Sequence, residues 1–305
     1  MSFSSMTKNE LARLPIESRC CALAELAAIV RISGTIQFSK MKNLRLKFVT
    51  ENAAIARRVF VLIKDLYNIN VEVMVRRNKQ LKKNNNYIIV VSNGEITRKI
   101  LDDIGFLNDE NSFFDINYKI PEKLVEGRCC KRAYVRGAFL GGGSISNPEK
   151  AYHLEFVTNN QEYSMELSRI VNSFGLNSKI VMRKENYIVY LKEGEQIVDI
   201  LNIIGAHQAL LKFEDIRVLK DVRNNINRLV NCETANLSKT INASLKQVNN
   251  IELIEKKIGI ENLPRNLQEI AYLGKILDPP LGKSGINHRF RKIEEIADKL
   301  REGED

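Results

Sequence analysis

The feature that most restricts the fold is a helical segment that occurs twice. Arg19-Cys20-Cys21 opens a run that ends Ile32-Ser33-Gly34-Thr35-Ile36, and Arg128-Cys129-Cys130 opens another that ends Gly141-Gly142-Gly143-Ser144-Ile145. Gly34 and Gly143 are separated by the same interval as Cys20 and Cys129. Both runs keep small residues on one helical face. Residues three and four apart share a face, so small side chains there let two helices approach closely. The helix–helix packing positions expected on this ground are Ala27, Gly34, Gly137 and Gly143.

The segments downstream of the two helices repeat as well. In the first copy, Leu44-Arg45-Leu46-Lys47-Phe48-Val49 alternates apolar and basic residues, the pattern of a strand with one solvated face. Helical periodicity comes next in Ile55, Val59, Leu62, Ile63 and Leu66. Strands are predicted at 71–75 and 87–91, around the polar turn Lys82-Lys83-Asn84-Asn85-Asn86, and a helix at 95–104 ending on Gly105, a suitable left-handed cap. The second copy predicts a strand at 152–158, a helix at 162–174, strands at 179–182 and 187–190, and a helix at 195–204 ending on Gly205. A helix at 7–13, stopped by Pro15, precedes both. The order α-β-α-β-β-α thus occurs twice, and agreement of both motif and order marks a tandem duplication.

From about Ala206 the strand signal ends. Leu210–Val230 reads as a basic amphipathic helix and Ala235–Ile258 as another. Pro264 suits the start of a helix over Leu267 to about Leu277, Pro279-Pro280 breaks the chain, and Ser284 suits the N-cap of a last helix from Gly285 to about Leu300. The expected division is a first repeat at 1–110, a second at 111–205, a linking helix at 206–232, and an all-α domain at 233–305. The fold class is α+β.

The formal charge is +10 and the pI near 9.3, a balance that favours polyanionic partners. No apolar run reaches the roughly 18 residues of a membrane span, and the N-terminus lacks a charged start leading into an apolar stretch. A cytoplasmic protein without a membrane partner is expected. Of the five cysteines, four form adjacent pairs, and neighbours on a helix point in different directions. There is no CxxC, and His153, His207 and His288 are scattered. Buried reduced thiols and no metal site are the expectation. Gly141-Gly142-Gly143-Ser144 comes after a helix and lacks a succeeding Lys-Ser/Thr, so it is no phosphate loop. No cofactor and no small-molecule substrate are expected.

The sharpest local pattern lies near the C-terminus. Lys283, Ser284, Asn287, His288, Arg289, Arg291 and Lys292 crowd hydrogen-bonding and cationic groups onto the first turns of a helix, while Ile286, Phe290 and Ile293 recur at anchoring positions. A helix-turn-helix recognition helix presents its first turns to base edges in this way. Arg45, Lys47, Arg76, Arg77 and Lys79 would add a basic sheet face. A merely solvated basic face has the same composition.

The duplicated helix–strand–helix–hairpin–helix unit resembles the LAGLIDADG homing-endonuclease fold. There, two such helices pack about a pseudo-two-fold, two sheets form a saddle on DNA, and an acidic residue at the foot of each helix holds a metal. Here the feet are Ser33-Gly34 and Gly142-Gly143, without a carboxylate, and the nearest acidic residues along the chain are Glu25 and Glu149. Metal-assisted hydrolysis needs oxygen ligands that serine and glycine side chains do not supply, so no catalytic residue is expected. With Arg136–Ile145, Asn227–Asn236 and Ser284-Gly285-Ile286-Asn287-His288-Arg289, the chain resembles the WhiA family over nearly its whole length. That family joins a degenerate LAGLIDADG-like domain to a C-terminal helix-turn-helix.

The resemblance implies a non-enzymatic protein that binds double-stranded DNA. Its expected setting is the nucleoid, in cell division and chromosome segregation, or in transcription regulation of the sporulation type. Two alternatives stay open, an adaptor for another transcription or division protein and an active endonuclease. One departure is visible. The family carries a longer segment between the first helix of the helix-turn-helix and a Gly-x-x-Leu-Asp-Pro-Pro stretch, whereas here Ala271-Tyr272-Leu273 runs directly into Gly274-Lys275-Ile276-Leu277-Asp278.

Overall fold

A computed structural model of the chain describes residues 2–38, 44–77, 85–107, 116–271 and 283–302. It divides into two compact units, Met1–Asp221 and Val222–Asp305.

In the first unit, α1 (Phe3–Leu11) precedes two copies of one pattern. The first comprises α2 (Arg19–Ser33), β1 (Gly34–Phe38), β2 (Leu44–Thr50), α3 (Ala53–Tyr67), β3 (Glu72–Arg77), β4 (Asn85–Val91) and α4 (Gly94–Asp103). The second comprises α5 (Arg128–Gly142), β5 (Gly143–Ile145), β6 (Leu154–Thr158), α6 (Gln161–Asn172), β7 (Lys179–Arg183), β8 (Asn186–Leu191) and α7 (Gly194–Ile204). The order is therefore α-β-β-α-β-β-α. The added strands, β1 and β5, begin directly where their helices end, with no turn residue between to announce them. The sheets are antiparallel with matching orders, β1-β2-β4-β3 and β5-β6-β8-β7. Phe48 pairs with Ile89 in one and Phe156 with Val189 in the other. Leu44, Leu46 and Phe48, like Leu154 and Phe156, turn inward while their neighbours face out.

The copies share their caps as well. Thr50 Oγ1 accepts from Asn52 N, and Asn52 Oδ1 accepts from Ala54 N at 2.8 Å. Thr158 Oγ1 accepts from Asn160 N, and Asn160 Oδ1 accepts from Tyr163 N at 2.8 Å. Each bond satisfies an amide that a helix start leaves without a partner.

Helices α2 and α5 form the centre of this unit. Ala24, Ala27, Ala28, Ala133 and Ala138 are buried on them. A Cβ at Gly137 would overlap the carbonyl of Glu25, and one at Gly142 would stand 2.5 Å from Ile32 Cγ2. Gly34 and Gly143 differ from the expectation. A Cβ on either would strike its own preceding turn, at Val30 and Phe139. They serve the sharp exit into β1 and β5, and the close approach rests on Gly137, Gly141 and Gly142 with the alanines.

Charge is buried at the same seam. The Glu25 carboxylate, 1% exposed, accepts from Arg58 Nε at 2.6 Å and Nη2 at 2.8 Å, and from Arg136 Nε at 3.0 Å. Arg58 also donates to the Leu14 carbonyl. Arg31 donates to the carbonyls of Ile104 and Gly105 at 2.9 and 3.1 Å, and Arg132 to that of Ile203 at 2.8 Å. Cations at carbonyl-rich helix C-termini are favourable, so central-helix arginines hold the ends of α4 and α7.

The two helices expected over 210–230 and 235–258 are one, α8 (His207–Ile258). Asn231-Cys232-Glu233-Thr234 contains neither Gly nor Pro, and nothing there stops a helix. Its first turn receives the Glu10 carboxylate, which accepts from Gln208 N at 2.7 Å and Ala209 N at 3.0 Å. The second unit also contains α9 (Arg265–Ala271) and α10 (Lys283–Glu302). Its core is Ile251, Ile254, Ile260, Leu263, Leu267, Ile270, Ile293 and Ala297. Lys79, the turn at 82–84, the segment after Ala271 through Pro279-Pro280, and the shortening near 273 lie outside the described residues.

Candidate nucleic-acid interface

α10 positions most of the residues singled out at the C-terminus. Ile286, Phe290, Ile293, Ala297 and Leu300 pack on the core of the second unit, so the helix has one fixed orientation there. Ser284, Asn287, His288, Arg291 and Lys292 recur at spacings of three and one, share the opposite face, and are all exposed. Arg289 flanks that face and is half-buried. Lys283 opens the helix, so Ser284 is inside its first turn and is not the N-cap. Further along, Arg301 donates to Asp298 Oδ1 and Asn250 Oδ1, both at 2.6 Å, and Lys246 pairs with Glu294. The contacts with Asn250 and Lys246 tie the distal half to α8 and leave the first turns clear of them.

The sheets of the first unit offer a second surface. Cross-strand neighbours share a face. The registers therefore place Gln37, Arg45, Lys47, Val49, Met74 and Arg76 together on the outer side of one sheet. On the other they place Ser144, Glu155, Val157, Lys179, Val181 and Arg183 together. Arg77 alternates to the opposite side from Arg76. The first face is the more basic, with Glu72 as its acidic member.

The feet of the central helices carry no oxygen cluster for a metal among the described residues. Ser33 Oγ donates back to the Ile29 carbonyl at 2.9 Å. Glu25 is spent on its two arginines, and Glu149 sits in an exposed turn with Asn147. A carboxylate overlooked in the sequence is Glu155. Ser144 Oγ donates to its Oε1 at 3.0 Å, and its Oε2 lies 3.0 Å from His153 Nε2. Its signal was the strand alternation, which places it outward beside Ser144. Lys8 Nζ lies 5.9 Å from the centre of the Phe139 ring, and burial lowers its pKa to about 8.

Sequence reasoning also missed the thiols. Taken pair by pair they are inert, but the close packing of α2 and α5 brings both pairs together. The Sγ atoms of Cys20, Cys21 and Cys130 lie within 4.8 Å of one another, and Cys129 Sγ is 4.0 Å from Cys130 Sγ. Among the described residues this is the one group of three or more His, Cys, Asp or Glu with metal-ligand spacing.

Two tandem LAGLIDADG-like repeats succeeded by a helical helix-turn-helix domain define the class. Three family models match in order: the WhiA N-terminal LAGLIDADG-like domain over 19–107, the WhiA LAGLIDADG-like domain over 131–223, and the WhiA C-terminal HTH domain over 226–297. Among curated relatives, the "Probable cell division protein WhiA" of Alkaliphilus metalliredigens is 56% identical, covering 99% of each chain. That of Clostridium botulinum is 53% identical, covering 99% of this chain and all of the relative. The crystal structure of a full-length WhiA from Thermatoga maritima matches with a TM-score of 0.61 at 25% identity, covering 98% of this chain and 99% of that one. The chain belongs to the WhiA family. The alignment to the Alkaliphilus protein spans 313 positions against 305 residues here, so that relative carries residues this chain lacks.

Proposed function

We propose that this protein is a non-enzymatic, double-stranded-DNA-binding protein of the nucleoid that acts in cell division and chromosome segregation as a transcription regulator. The observation that carries the reading is α10. Its apolar face is committed to a core, and its opposite face presents Ser284, Asn287, His288, Arg291 and Lys292 to solvent. Asparagine and arginine at adjacent turns form bidentate bonds to base edges, and lysine neutralises phosphate. The basic sheet face around Arg45, Lys47 and Arg76 adds phosphate contacts. Ser33 and Gly142 at the feet, with Glu25 locked between arginines, support the loss of nuclease chemistry. The family's naming as probable cell division proteins supports the setting.

Fluorescence anisotropy with duplex fragments tests this. For several phosphate contacts, affinity falls roughly 10³-fold or more between about 50 and 200 mM salt. Salt-independent affinity, or cleavage of supercoiled plasmid with Mg²⁺ or Mn²⁺, would overturn the reading. A second reading, a protein adaptor, draws support from the exposed apolar residues Val222, Ile226, Leu229, Leu237 and Ile241 of α8. A partner that is still retained after nuclease treatment, together with absence of DNA affinity, favours it.

A further inference from the structure

We propose that Cys20, Cys21, Cys129 and Cys130 bind one Zn²⁺ at the N-terminal ends of α2 and α5. This site is at the opposite end of the central helices from Ser33 and Gly142, so it is unrelated to the nuclease metals of the LAGLIDADG fold.

Four soft donors converge there, two from each repeat. A tetrahedral thiolate site with Zn–S near 2.3 Å sets its sulfurs about 3.8 Å apart. The Cys129–Cys130 separation of 4.0 Å is close to this, and the sulfurs of Cys20, Cys21 and Cys130 all lie within 4.8 Å of one another. The donors combine anchorage with access, because Cys21 and Cys130 are buried and Cys20 and Cys129 are exposed. All four belong to the first turn of their helices, where amide N–H groups and the positive end of the helix dipole face the sulfurs of a bound ion; burial pushes the free Cys21 and Cys130 thiols up, so the ion has to displace their protons. Ser18 Oγ already accepts from Cys21 N at 3.3 Å and lies 3.1 Å from Cys20 Sγ. The α5 terminus, capped by Gly127, has no side-chain acceptor at all, so thiolates there would meet amides that lack one.

The chemistry balances without an oxidant. Four thiols lose four protons to solvent as Zn²⁺ binds, which leaves a complex of net charge −2. The two helix N-termini offset part of that charge. The duplication explains why each pair is adjacent. One Arg-Cys-Cys supplies half a ligand set, and only the packed repeat completes it. The ion would tie the two repeats together at the seam where Gly137 lets them meet.

The test uses the full chain, purified under reducing conditions. Elemental analysis is expected to find about one zinc per chain in wild type and in Cys232→Ser, and none in Cys21→Ser/Cys130→Ser. Because the double variant removes buried groups, a second measurement uses wild type alone. Metal-free protein titrated with Co²⁺ should develop thiolate-to-cobalt charge-transfer and tetrahedral d–d bands that saturate at one equivalent and vanish on adding Zn²⁺. Zn²⁺ should also raise the Tm of metal-free protein. Substoichiometric zinc with all five thiols alkylated by iodoacetamide would overturn the proposal. So would a disulfide among these four in the intact mass, or cobalt spectra without a thiolate band.

Discussion

Glu25 gives the sharpest stability prediction. It belongs to a central helix, is 1% exposed, and is the counter-ion of both Arg58 and Arg136, which are 4% and 5% exposed. Glu25→Ala leaves two guanidinium groups in the interior. Arg58 keeps the Leu14 carbonyl, and Arg136 keeps, among the described residues, the long bond to Ile204 O at 3.5 Å. Removing one partner from a buried ion pair costs about 3–5 kcal/mol, because the remaining charge keeps its desolvation penalty. In a unit of this size 1 kcal/mol corresponds to roughly 2–4 °C, so the Tm of the first unit should fall by about 10 °C. Differential scanning calorimetry of the full chain reads this, with the second unit's transition as internal control. The apolar replacement Glu25→Leu/Arg58→Met/Arg136→Met should recover most of the loss, since nothing charged remains buried. A fall below about 3 °C for Glu25→Ala would refute the view that this triad is desolvated and interdependent.

Lys8 predicts a pH dependence. Its folded pKa, about 8, is below the ordinary 10.5, so burial penalises the ammonium at every pH below about 8. Between 8 and 10.5 the unfolded chain holds the proton that the folded one has released, and stability rises with pH. Lys8→Met should therefore stabilise at pH 7 by on the order of 2 kcal/mol and flatten that rise in urea titrations; an unchanged slope would contradict it. Gly137→Ala should lower the Tm by several degrees, because the new methyl overlaps the Glu25 carbonyl, whereas Gly175→Ala meets no atom and feels only its left-handed backbone. Brief trypsin treatment should cut α8 first, between Arg223 and Lys239, where every residue is exposed, and leave two folded fragments. Protection of that stretch would mean that another chain covers it.

The duplication was legible because each copy repeats its motifs in the same order. α10 was legible too, since its apolar spacing separates a packed face from a polar one. What was hidden depends on tertiary approach. β1 and β5 begin directly at the helix exits, so the helical reading runs up to them without a turn that marks a new element. Gly34 and Gly143 have the spacing of contact residues, although only packed coordinates distinguish a glycine facing a partner from one facing its own turn. The break expected between Val230 and Ala235 has no Gly or Pro to enforce it, so α8 runs straight through. Ser284 illustrates the usual uncertainty of a helix start by one or two residues. Glu25 and the cysteines acquire their full roles only when α2 meets α5, because Arg136 and the second thiol pair come from the other copy.

If α10 reads DNA while the duplicated unit serves as a scaffold without cleavage chemistry, occupancy of specific sites must depend on the exposed face of α10. Genome-wide mapping of bound DNA tests this most directly, comparing wild type with Asn287→Ala/His288→Ala/Arg291→Ala/Lys292→Ala, whose four sites are exposed and outside the core. Wild type should give discrete peaks that disappear in the variant at equal protein level. The same peaks at the same heights in the variant would contradict a reading role for α10.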